Sequence, residues 1–289
     1  MQYKELNNGI KMPQLGLGVF QIPQNETKET VINAIKAGYR AIDTARAYGN
    51  EKETGEGINE AISNGLVKRE DLFLTTKVIF NEYGYEATKN AIEDSLNQLN
   101  QDYIDLYLIH QPYGDIYGSY KALVEAKNEG KIKSLGISNF YPAKFVEFMR
   151  EVKLRNWPKP VINQIEYNPL TQQKVASDFI PKFDVQMEAW APLAQGRNNI
   201  FKNELLSNIG KNHNKSVAQV ILRWIMQNDI VTVVKSTNPK RLEENIDIFD
   251  FELTNKEMEQ INSLDTNKPS MDHQNPEFTD DFYDMIYGL

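Results

Sequence analysis

The chain reads as an α/β protein folded as a closed (β/α)8 barrel of the TIM type, with an N-terminal β-hairpin closing the bottom. Three observations point there. Short apolar runs alternate with stretches of helical periodicity from one end to the other. Several runs are almost continuously apolar, as parallel strands covered on both faces must be. The 289 residues contain no linker and no shift in composition, which fits one barrel domain over 1–289.

Taken in order, "YKELNNGIKM" predicts a small hairpin turning at Asn8-Gly9. The barrel strands follow as "QLGLGVF", "RAIDTA", "LFLTTKV", "YIDLYLIH", "IKSLGISN", "VINQIEYN", "VQMEAWAP" and "VTVVKS". Between them, spacings such as Ile92, Leu96 and Leu99, or Val217, Val220, Ile221, Trp224 and Ile225, mark one face of a helix. Asp105 is the outlier in an otherwise apolar run. A doubly wound dinucleotide fold is the alternative, but "GLGVFQ" places Gln21 where the third glycine of GxGxxG belongs.

Composition narrows the chemistry. A formal charge of -8 without any Lys/Arg-rich run argues against nucleic acid or an anionic membrane as partner. The N-terminus is polar and broken by Gly and Pro, unlike a signal peptide, and no apolar run approaches the roughly 20 residues of a membrane span. The absence of cysteine removes disulfides, thiolate nucleophiles and Cys-ligated metal sites, and a cytoplasmic location is expected. His110, His213 and His273 lie far apart without metal-pair spacing, so no metal site is expected. A small-molecule ligand is the expected partner.

Barrel chemistry sits at the C-terminal mouth. The predicted strands end there in Asp43, Lys77, His110, Ser138 with Asn139, Gln164, Trp190, and Lys235 with Ser236. A phenol titrates near pH 10, and a neighbouring ammonium lowers that value. Lys77 can supply the ammonium to Tyr48, Asp43 can keep Lys77 charged, and His110 can orient a carbonyl oxygen toward Tyr48. The alternative is a structural Asp–Lys ion pair beside an ordinary packed tyrosine.

In "VVKSTNPKRLEENIDIF", Asn238 is a good N-cap and Pro239 suits the first helical position. The amides of that helix start, with Lys235, Ser236, Thr237 and Arg241, could hold a phosphate, and Glu244 and Asn245 lie about one turn on. A solvated, charged helix start is the competing explanation. Trp190 offers a stacking face, or a core aromatic.

With these residues in view, the sequence resembles the aldo-keto reductases. The matching signatures are "GYRAIDTARAYGNE", "DYIDLYLIHQP", "LGISNF", "NQIEYNPL", "AWAPLAQG" and "KSTNPKRLEEN", in family order from about Gly16 to Phe251. The resemblance implies a barrel that binds NADPH/NADP+ in an extended pose. It implies a catalytic tetrad of Asp43, Tyr48, Lys77 and His110, with Tyr48 as general acid in hydride transfer to an aldehyde or ketone. It also implies that Ser138, Asn139 and Gln164 hold the nicotinamide carboxamide and that Trp190 stacks on the ring. Pro192, Leu193 and Gln195 join the cofactor set through "AWAPLAQG". Lys235, Ser236, Thr237 and Arg241 take the 2′-phosphate, with Glu244 and Asn245 near the adenine. Gly18 and Val19 line the pyrophosphate side, and Phe20 and Gln111 the substrate side. Two departures stand out: Val234 replaces a frequent proline, and Gln111 a frequent tryptophan. "AWAPLAQG" is similar to the bacterial branch of 2,5-diketo-gluconate and methylglyoxal reductases, and family members are often monomeric.

The tail "NPEFTDDFYDMIYGL" carries Phe278, Phe282, Tyr283 and Tyr287, and either shapes the substrate pocket or packs on the barrel's side. Two other functions compete. Lys77 could be a Schiff-base lysine, which leaves Tyr48 and the phosphate motif without a task. An NADPH-binding sensor or structural module would not need the tetrad intact. NADH is the alternative cofactor, which Lys235 and Arg241 disfavour.

Overall fold

The computed structural model describes residues 1–288, with the Tyr287 side chain and Leu289 outside the description. Strands β1 (Tyr3–Glu5) and β2 (Lys11–Pro13) form the antiparallel hairpin. The eight that follow are β3 (Leu15–Gly18), β4 (Ala41–Asp43), β5 (Phe73–Val78), β6 (Ile104–Ile109), β7 (Ile132–Ser138), β8 (Ile162–Glu166), β9 (Gln186–Trp190) and β10 (Val231–Val234). They pair in parallel in sequence order, and β10 closes on β3. Every predicted strand is present, and the doubly wound alternative is excluded because the sheet has no open edges.

Helices cover the outside. They include α1 (Gln24–Ala37), α2 (Glu51–Ser63), α3 (Tyr85–Leu99), α4 (Ile116–Asn128) and α5 (Pro142–Leu154), followed by α6 (Lys174–Phe179), α7 (Glu204–His213), α8 (Val217–Gln227), α9 (Pro239–Ile246), α10 (Asn255–Asn262) and α11 (Pro276–Tyr287). Local sequence sets several starts. Ser216 and Gln219 make a reciprocal capping box on α8, and Thr254 and Glu257 make another on α10. The apolar spacing read in α8 buries Val220, Ile221, Trp224 and Ile225 against the outer face of the barrel.

The barrel interior is layered. At the bottom, Ala41, Phe73, Leu106, Leu108, Ile162 and Val231 pack with Leu6 and Met12 of the hairpin, so the hairpin plugs that end. Gly136 belongs to the same filling, since a Cβ there would collide with Leu108 Cδ2. Asp105, the polar outlier, is buried but satisfied: it accepts from Leu74 N at 3.0 Å and pairs with Arg69 at 2.8 Å. No helix among the described residues is long and apolar enough to cross a membrane.

Candidate active site

Strand alternation turns every second side chain inward, and parallel register sets which of them meet. Gly18 pairs with Asp43 across β3 and β4, and Gln164 with Glu188 across β8 and β9. Lys77, near the end of β5, is fully buried at 0% exposure. Its ammonium donates to Asp43 Oδ1 at 2.6 Å, Thr44 O at 2.9 Å and Tyr48 Oη at 3.2 Å. All three ammonium protons are therefore used.

Tyr48 ends a single 3₁₀ turn, Arg46–Tyr48, that follows β4. The turn is held by Asn50, whose Nδ2 donates to Val19 O at 3.0 Å and Ile22 O at 3.2 Å. The phenol ring lies 4.9 Å from Phe20 and 5.8 Å from the edge-on His110 ring, centre to centre. The fold thus brings the four predicted residues together at the mouth.

The electrostatics set two opposing effects on Tyr48. Burial raises the Tyr48 pKa and outweighs the lowering by Lys77, so the phenol keeps its proton at neutral pH. Burial alone would lower Lys77, but the Asp43 charge and hydrogen bond with Tyr48 hold it above its ordinary value. Burial, with Lys77 and His273 nearby, pushes His110 down to about 3. His110 is accordingly a neutral imidazole. An arrangement of a charged lysine donating to the oxygen of a protonated phenol leaves the phenol's own proton free for an acceptor in the cavity.

The other predicted residues fall around this cluster unevenly. Gln164 lies inside β8 rather than at its end, and its Nε2 donates to Asp43 Oδ2 and Glu188 Oε2, both at 3.0 Å. Ser138 Oγ donates to Gln164 O at 2.8 Å. The Asn139 amide accepts from Trp190 Nε1 at 2.9 Å and donates to His110 O at 3.1 Å. Asn139 and Ser138 are therefore locked in place next to the half-buried Trp190.

A Cβ at Gly18 would meet Val233 at 3.7 Å, an ordinary van der Waals contact. The Val19 side chain is buried in the core, and its carbonyl accepts from Asn50 Nδ2 at 3.0 Å. Pro192 is buried, Leu193 half-buried and Gln195 exposed in a turn with several left-handed residues. Phe20 is 45% exposed at the opening.

The helix start after β10 forms as predicted, with Asn238 as N-cap and Pro239 first in α9. Asn238 itself caps Lys240 N and Arg241 N, so a phosphate would meet side chains rather than those two amides. Ser236 Oγ accepts from Asn238 N at 3.2 Å. Lys235, Arg241 and Glu244 are exposed, Thr237 is half-buried and Asn245 is buried. Among the described residues neither Lys235 nor Arg241 has an ion-pair partner, a donor set that suits a phosphate in solution.

Four features escaped sequence reasoning. Thr44 contributes only a carbonyl, which no motif marks. Glu188 is an acid in an apolar strand, two residues before Trp190, and that misplaced charge was the available signal. Glu166 ends β8 and accepts from Arg197 at 2.6 Å and Ser270 N at 2.7 Å, tying the loop after β9 to the segment that precedes the tail. His273 Nε2 sits 2.7 Å from Gln111 Oε1, and its ring stacks on Tyr141 and Tyr113. The segment 270–273, which precedes the tail, thus links the end of β8 to Gln111 after β6. Beyond it α11 sets Phe282 against Phe80 and Tyr113, on the loops after β5 and β6.

Comparison with known proteins agrees with this geometry. Residues 12–266 match the aldo/keto reductase family. The chain is 45% identical to the glyoxal reductase of Bacillus subtilis over 94% of its own length and 95% of that protein. It is 39% identical to methylglyoxal reductase DkgA of Escherichia coli, covering 91% and 94% respectively. A Bombyx mori aldo-keto reductase solved in complex with NADP superposes with a TM-score of 0.88 at 33% identity, over 94% of this chain and 95% of that one. A barrel closed in this order, with a lysine, an aspartate, a tyrosine and a histidine converging at its mouth and relatives alike over nearly their whole length, belongs to the aldo/keto reductase family, and the protein is an oxidoreductase.

Proposed function

We propose that the protein reduces small aldehydes and ketones to alcohols with NADPH, Tyr48 acting as general acid. The observation that carries this is the Lys77 ammonium, which donates to Tyr48 Oη at 3.2 Å while Asp43 and Thr44 take its other protons. A donor into the phenol oxygen stabilises the charge that forms there as the proton leaves. The phenol gives its proton to the substrate oxygen, and neutral His110 donates a hydrogen bond to that same oxygen and fixes its direction. Among the described residues no other group hydrogen-bonds the His110 ring, so it is available for this. Phe20, Trp190 and Gln111 enclose the carbonyl and limit water around it.

The nicotinamide supplies the hydride when bound. Lys235, Ser236, Thr237 and Arg241 would hold its 2′-phosphate, and the two unpaired cations favour NADPH over NADH. Ser138, Asn139, Gln164 and Trp190 would position the ring, with Gly18, Pro192, Leu193 and Gln195 bordering the bridge between. The relatives named for glyoxal and methylglyoxal support small dicarbonyls as the substrate class, with 2,5-diketo-gluconate the alternative.

The test is loss of NADPH absorbance with methylglyoxal, comparing the native chain with Tyr48→Phe. Turnover that collapses by about 10²-fold or more in the variant, with NADPH binding retained, is the expected result. A native chain that binds NADPH and turns over none of a panel of aldehydes, ketones and keto acids would refute the assignment.

A further inference from the structure

One carboxyl beneath the Asp43–Lys77–Tyr48 cluster has no part in the chemistry derived so far. Glu188, inward-facing on β9, is 0% exposed. Its Oε2 accepts from Gln164 Nε2 at 3.0 Å, while Oε1 is buried and has no hydrogen-bond partner. The second N–H of the same Gln164 nitrogen goes to Asp43 Oδ2 at 3.0 Å. With its nitrogen between the two carboxyl oxygens the amide uses both of its protons, whereas the flipped amide would set its oxygen against Asp43. Glu188 therefore supplies the second acceptor that anchors the Gln164 amide, and Gln164 in turn holds the second oxygen of Asp43.

We propose that Glu188 is a positioning residue of the reductase site, holding Gln164 against Asp43 and thereby setting the charge environment of Lys77 and Tyr48. The inference rests on the function proposed above. In the folded protein the charged and titratable groups facing Glu188 are Asp43 on β4, Lys77 on β5 and Tyr48 in the loop after β4. On its flanks stand the uncharged Gln164 of β8 and Val231 of β10.

Burial and the Asp43 charge push Glu188 up to about 8, against the Gln164 hydrogen bond and Lys77. It is thus a neutral acid at pH 7, and a protonated Oε1 without a partner costs far less than an unpaired carboxylate oxygen. Above pH 8 it becomes a second negative charge beside Asp43. That charge raises the Tyr48 pKa further and makes the phenol a weaker acid. Lys77 and Tyr48 are displaced upward and His110 down to about 3, so of these displaced groups Glu188 is the one that changes charge between pH 7 and 9.

The experiment compares native protein, Glu188→Gln and Glu188→Ala by two measurements. The first is the pH profile of kcat/KM for methylglyoxal with NADPH. The native rate should fall above about pH 8, and Glu188→Gln should lose that inflection. Glu188→Ala, which removes the acceptor for Gln164, should lose about tenfold in kcat at pH 7, and Glu188→Gln distinctly less. The second is thermal stability without cofactor. A folded carboxyl held above its unfolded value keeps its proton longer than the unfolded chain does, so native stability relative to Glu188→Gln should decline as pH rises from 4.5 to 8 and then level off.

An active native enzyme whose pH profile Glu188→Gln copies and whose kcat Glu188→Ala matches overturns the role of Glu188 alone. Native protein without turnover overturns the reductase assignment instead. A stability difference that does not vary with pH overturns the neutral-acid state whichever way the kinetics fall.

Discussion

Replacing Lys77 with methionine separates the two things this residue does. Its ammonium is buried at 0% exposure and 2.6 Å from Asp43, itself only 4% exposed. Removing the cation strands a buried carboxylate whose remaining side-chain partner is Gln164 at 3.0 Å. Breaking a buried pair from one side costs about 3–5 kcal/mol, which for a chain of this size lowers Tm by roughly 5–8 °C. Lys77→Met with Asp43→Asn removes both charges and should recover most of that loss. Catalysis should behave differently. A unit charge 3.2 Å from Tyr48 Oη stabilises a full phenolate by about 5 kcal/mol at an effective dielectric of about 20. A half-transferred proton senses about half of it, so kcat should fall roughly 10²-fold in the single variant. The double variant should be no faster. The assays are thermal melting and NADPH oxidation, with NADPH affinity followed by quenching of tryptophan fluorescence. A single variant that melts like the native protein, or a double variant no more stable than the single one, would refute the reasoning on stability. A kcat within about threefold of native would refute the electrostatic coupling of Lys77 to Tyr48.

Lys235→Ala with Arg241→Ala should weaken NADPH binding by at least tenfold while NADH binding changes little, because charge-assisted hydrogen bonds to phosphate are worth about 1.5–3 kcal/mol each; equal losses for both cofactors in a fluorescence titration would count against the phosphate site. With His110 held down to about 3, kcat/KM should be flat from about pH 5 to 7, and an inflection near pH 6.5 that disappears in His110→Asn would contradict its neutral state. Truncation before Asn275 removes Phe282 from Phe80 and Tyr113, and should shift selectivity between small dicarbonyls and bulkier aldehydes by several-fold; an unchanged kcat/KM ratio would place the tail outside substrate recognition.

What sequence determined here was the periodic and the local. Strand and helix spacing follow from which side chains must be dry, a constraint written into consecutive residues, so all eight barrel strands and the Asn238–Pro239 helix start were legible. That Asp43, Lys77 and His110 stand at or just beyond strand ends was legible too, because a strand end displays its polar residue against an apolar run. Tertiary structure decided the rest because it depends on distances between elements far apart in the chain. Gln164 and Asp43 are 121 residues apart yet share a hydrogen bond, and His273 reaches Gln111 across 162. The sign of the Tyr48 shift was likewise undetermined by sequence: a neighbouring lysine can be guessed from a motif, but burial, which outweighs it, is a property of the closed barrel. Glu188 makes the same point in reverse, since a carboxylate in an apolar strand looks like an exception until the register across β8 and β9 supplies the amide it holds.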